Sequence, residues 1–136
     1  MRLEHAVLIA ATPERVWAVT VDVAGWPRWT PTVRSARPLG EAPFGPGSRY
    51  SLKQPLQPET VWEVTACRPG ESFTWEARGT ASTLRATHRL EPVDGGTRNV
   101  LVLEAEAMPW LLRRLSAFAL KRENLGLKRF CERSGA

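Results

Sequence analysis

His88 is placed for chemistry by the company it keeps. Residues 83–91 alternate as a strand, with Leu84, Ala86, His88 and Leu90 on one face and Thr83, Arg85, Thr87, Arg89 and Glu91 on the other. An imidazole on an apolar face, with an ordinary pKa near ~6.5, can bond a ligand carbonyl or hydroxyl, or act as a general base. The plainer alternative is a core histidine bonded to a neighbour. The same alternation over 49–54 sets Tyr50, Leu52 and Gln54 together, making Gln54 a second inward polar candidate. Trp62, Val64 and Ala66 share a face, as do Phe73, Trp75 and Ala77. Rings in such positions usually build core, and indoles also stack on flat or polyene ligands. Arg122 falls at the edge of the apolar stripe of the last helix. It snorkels there or, turned inward, meets an anionic head group.

Other chemistries lack their residues. Two histidines and two cysteines, none closely spaced, make no metal site, and Glu104 and Glu106 read as solvated carboxylates on one strand face. There is no Gly-x-Ser-x-Gly, no phosphate-cradling loop and no dinucleotide fingerprint, so neither metal nor cofactor is expected.

The elements that must position these residues follow from the punctuation of the chain. At 136 residues with 43% hydrophobic content, residues 1–136 read as a single globular domain able to bury a core. The apolar run 6–11 is too short for a signal peptide and follows Glu4 and His5 where basic residues belong, so it reads as a buried strand. No window approaches the ~18 apolar residues of a membrane span. Cys67 and Cys131 suit two structural thiols in a reducing cytosol, giving a cytoplasmic expectation, although spacing alone leaves a disulfide open. Thr12 stands as N-cap, Pro13 at the first helical position and Glu14 in the first turn, so a helix starts sharply after strand one. Trp26-Pro27 and Thr30-Pro31 keep the next helical turn short. Strands are predicted over 33–39, 49–54, 60–67, 72–78, 83–91 and 98–107, with Asp94-Gly95 turning the final hairpin.

A long amphipathic helix is predicted over 110–133. Leu112, Leu115, Ala119, Gly126 and Phe130 form its buried stripe, with Arg113, Arg114, Lys121 and Lys128 on the far side. Seven basic and two acidic residues from Pro109 onward account for the whole net charge of +5. That charge belongs to one element and reads first as a solvated face. The order of elements implies an α+β architecture with a curved sheet around the last helix.

This order, together with Ala11-Thr12-Pro13-Glu14-Arg15-Val16-Trp17, Asp22, Trp26-Pro27-Arg28-Trp29-Thr30-Pro31, Pro46-Gly47-Ser48 and Gly95-Gly96-Thr97, resembles the SRPBCC superfamily. That is the START-like, polyketide cyclase/dehydrase and lipid transport group with the helix-grip fold. The resemblance spans essentially the whole chain and implies a hydrophobic cavity between sheet and C-terminal helix, its mouth rimmed by the short helices that carry Trp26 and Trp29. Three functions follow as expectations. The first is a carrier or sensor of a small hydrophobic, aromatic or lipid-like ligand, contacted by His88, Gln54, Tyr50, Trp62, Trp75, Arg122 and Trp29. The second is a cyclase or aromatase that uses His88 as base and Tyr50 as acid. The third is an interaction module that uses the basic helix face. Nucleic acid is not expected as a partner, since the basic face lacks interleaved exposed aromatics, and the chain is expected to be a monomer or homodimer.

Overall fold

The computed structural model describes residues 1–78 and 82–134. Strand β1 (Arg2–Ile9) leads to helix α1 (Pro13–Val21) and a 3-10 helix (Val23–Arg28). Then come β2 (Ser35–Leu39), β3 (Arg49–Lys53), β4 (Thr60–Arg68), β5 (Ser72–Arg78), β6 (Thr83–Val93), β7 (Gly96–Ala105) and the long helix α2 (Trp110–Ser134). The Thr12 hydroxyl accepts from Arg15 N at 3.2 Å, and Pro13 opens α1 as its position predicts.

All seven strands form one antiparallel sheet in the order β1-β7-β6-β5-β4-β3-β2. Only β1 is out of sequence order, and it pairs with β7 from Arg2↔Glu104 to Ile9↔Thr97. The β6–β7 hairpin turns at Asp94-Gly95, with Gly95 at φ +82°, a value that glycine adopts without strain. The sheet is curved and open, and its concave face meets the helices in the helix-grip arrangement.

Local irregularities redirect two strands. In β4 the register shifts between Val64 and Ala66, a bulge at Thr65 that flips the following residues. Trp62 and Val64 point inward as expected, but Ala66 is exposed and Cys67 takes the inward place, packed on the core and opposite Phe73. Strand β3 ends at Lys53. Gln54 starts a turn instead, its carbonyl accepting from Gln57 N at 3.3 Å.

The orientation of α2 corrects the predicted stripe. Leu112 and Leu115 are exposed, Ala119, Gly126 and Phe130 are half-buried, and the buried positions are Asn124, Leu127 and Cys131. Polar clamps hold the second half of the helix in this orientation. Asn99 Nδ2 donates to Asn124 Oδ1 at 2.7 Å, and Asn124 Nδ2 reaches His5 Nδ1 at 2.8 Å and donates to His5 O at 3.0 Å, tying α2 to β7 and β1. Lys128 donates to Leu8 O at 2.8 Å, while Glu132 accepts from Ala10 N at 2.8 Å. Lys128 therefore serves as an anchor to β1. A methyl at Gly126 would stand 2.0 Å from Trp29 O, so backbone meets backbone there.

Candidate functional site

The concave face gathers the aromatic residues. Trp75, buried on β5, has ring centroids 5.2 Å from Trp26, 5.4 Å from Trp62, 5.3 Å from Phe73 and 6.3 Å from Tyr50. Phe44 and Trp17 extend the group, Phe44 lying 5.0 Å from Phe73 and Trp17 6.4 Å from Phe73. Strand alternation supplies the inward rings, and the Pro-stopped 3-10 helix delivers Trp26 across from them.

His88 lies at the centre of this group. Its ring stacks on Phe73 at 4.5 Å and 6°, with Trp26 at 5.4 Å and Trp75 edge-on at 6.0 Å. Burial lowers its pKa from 6.5 to about 3, so the imidazole is neutral at physiological pH. The contacts seen for His88 among the described residues are ring contacts, and no side-chain hydrogen bond to it is seen there. Trp62 Nε1 is buried without a partner among the described residues, whereas Trp26 Nε1 donates to Thr20 O at 3.0 Å. Burial also raises the pKa of the Tyr50 hydroxyl.

The other expected site residues divide. Tyr50, Trp62, Trp75 and His88 meet in one interior, and Trp29 borders it through Trp26 at 5.7 Å. Trp26 belongs to the interior and not to a rim, since it is buried and packed on both Trp75 and His88. Gln54 is half-buried in the turn after β3, because Pro55 ends the strand. Arg122 is exposed, with its guanidinium 5.9 Å from the Phe118 ring centroid, and so stands outside the interior. The space expected between sheet and helix is occupied by rings. Two clefts lie apart from it, one of about 650 Å³ beside Thr12, Val93 and Glu132, the other of about 390 Å³ beside Met1, Arg85 and Glu106.

Sequence reasoning passed over Glu123. It sits one helical turn before buried Leu127, and burial raises its carboxyl pKa from 4.5 to about 7. A glutamate among Lys121, Arg122 and Lys128 reads as solvated, and its spacing from Leu127 was the one available signal.

An open curved sheet closed by a C-terminal helix over a buried aromatic face defines a helix-grip protein. The sequence profile of the polyketide cyclase / dehydrase and lipid transport family matches residues 1–130, and the chain belongs to that family, within the SRPBCC superfamily. No curated protein matches the chain in sequence. Among solved structures it is similar to a protein of Thermus thermophilus, with TM-score 0.83, 18% identity and all of both chains covered. It is also similar to a START superfamily protein from Mycobacterium smegmatis, with TM-score 0.79, 17% identity and 98% of each chain covered. The di-domain ARO/CYC StfQ from the steffimycin biosynthetic pathway matches with TM-score 0.82 and 14% identity over 99% of this chain and 52% of that one. Identities this low speak for the shared fold.

Proposed function

We propose that the protein binds a small hydrophobic ligand, aromatic or lipid-like, among the rings of the concave face. It would act as a carrier or sensor. The observation that carries this reading is Trp62 Nε1, a buried donor without a hydrogen-bond partner among the described residues, in an aromatic interior that also holds the buried His88 imidazole. An unpaired buried donor costs about 1–3 kcal/mol, and a ligand carbonyl or hydroxyl would remove that cost. Tyr50 adds a third polar contact, Trp29 borders the ligand, and Gln54 would reach it only from the turn after β3. Because the rings touch one another, ligand uptake requires them to part. Family membership and two free thiols, Cys67 and Cys131, support a hydrophobic cargo and a cytosolic setting.

The same burial weakens the cyclase alternative. An imidazole held near 3 is a poor general base, and a phenol shifted upward is a poor acid.

Native mass spectrometry of the purified protein tests the reading. A co-purifying small molecule is expected, with Trp62→Phe and His88→Phe each weakening its retention about five- to tenfold, the value of one neutral hydrogen bond. The reading is lost if no molecule co-purifies and hydrophobic aromatic probes leave the interior tryptophans undisturbed.

A further inference from the structure

Among the described residues, the large apolar side chains of the first half of α2 are left exposed. Trp110 is 70% exposed, Leu111 55%, Leu112 53%, Leu115 48% and Phe118 62%. Leu111, Leu115, Phe118 and Arg122 recur at i, i+4, i+7 and i+11, a single stripe, and Trp110, Arg114 and Lys121 run beside it at i, i+4 and i+11. Apolar and cationic side chains thus share the outward side, as the Arg122 guanidinium over the Phe118 ring shows directly. Residues 110–122 carry Arg113, Arg114, Lys121 and Arg122 and no acid. The first acid beyond them, Glu123, is half-buried.

We propose that residues 110–122 form a docking surface for an anionic lipid bilayer. The alternatives fit less of what this half-helix presents. A second copy would bring the same four cations against these. Nucleic acid would use the cations and, against the sequence expectation, meet exposed aromatics in Trp110 and Phe118, but it would leave Leu111, Leu112 and Leu115 without a role, since aliphatic side chains do not stack on bases. A bilayer takes both, with leucine, phenylalanine and tryptophan at the acyl boundary and arginine and lysine at the phosphates. None of the described helices is long and apolar enough to cross a membrane, so the contact is one of lying on the surface. The inference is independent of an interior ligand.

Flotation of the full chain with phosphatidylcholine vesicles, with and without phosphatidylglycerol, tests it. Binding is expected only with phosphatidylglycerol and should fall with added salt. Phe118→Asp should lower partitioning at least about tenfold, and the pair Arg114→Gln and Lys121→Gln roughly thirtyfold, two cations' worth at the surface. Both variants change exposed positions, and an unchanged thermal melt would show that the fold is kept. Three results overturn the proposal: no flotation with anionic vesicles at low salt, flotation indifferent to both variants, or a self-associating chain that Phe118→Asp renders monomeric while vesicle binding is absent. Binding to a single-stranded polynucleotide that outcompetes vesicles would overturn it as well.

Discussion

A neutral imidazole packed between Phe73 and Trp26 makes folding sensitive to protons. The unfolded chain protonates His88 near 6.5 and the folded one only near 3, so its contribution to stability is full above about 6.5 and is lost as pH falls toward 3. Glu123 runs the other way. Its folded pKa of about 7 lies above the unfolded 4.5, so its contribution is full below 4.5 and fades as pH rises to 7. The two slopes oppose each other in the overlap from 4.5 to 6.5, where stability should be nearly level. Urea denaturation across that range should show His88→Phe losing stability as pH rises and Glu123→Gln gaining it. Parallel profiles for both variants would refute the assignment. His88 was legible because strand alternation is local. Glu123 was not, since its environment depends on which way a helix is turned by residues far along the chain.

That turning is decided at the level of the elements. Asn124 is fully buried, and its amide serves β7 on one side and β1 on the other. Asn124→Ala would strand both partners and should cost about 2–4 kcal/mol. Gly126→Ala should cost about 2 kcal/mol or more, because its methyl has only the Trp29 carbonyl to displace. Thermal or urea melts of the two variants check both values, and an unperturbed Gly126→Ala protein would show that the 3-10 helix and α2 separate easily. The strand over 72–78 was readable to the residue because Phe73, Trp75 and Ala77 alternate without a break. Two features escaped the same reading. A bulge such as that at Thr65 has no marker in residue type, and the strongest apolar stripe of α2 was assigned to the sheet when a polar asparagine sets the docked face. Apolar periodicity tells which stripe is greasy, and hydrogen-bond partners tell which one is buried.

Over the whole molecule the helix-grip frame divides labour along one helix. The C-terminal half of α2 is bound to β1, β7 and the 3-10 helix through Asn124, Lys128, Glu132 and Gly126. Among the described residues the N-terminal half has no such side-chain hydrogen bonds to the sheet, and it carries the exposed apolar and basic side chains. The chain's excess positive charge, visible in sequence as a property of this last element, is thereby concentrated on one side of the molecule. Family and architecture were legible from the N-terminal motif and the order of elements. The filling of the interior was not, because ring-to-ring packing depends on the angles at which distant strands meet.

The placement of the tryptophans has an optical consequence. Trp26, Trp29, Trp62 and Trp75 form a chain of ring contacts of 5.2 to 5.7 Å, close enough to pass excitation among themselves and emit as a unit, while Trp110 shines alone from the surface. Trp17, the sixth, is half-buried against Phe44 and Phe73 and lies between these extremes. Cargo among the rings should quench the coupled interior emission, whereas vesicles should shift only the red, water-facing component to shorter wavelength. Trp110→Phe should abolish the second response and spare the first, and a vesicle-induced shift that survives this substitution would place the lipid contact elsewhere.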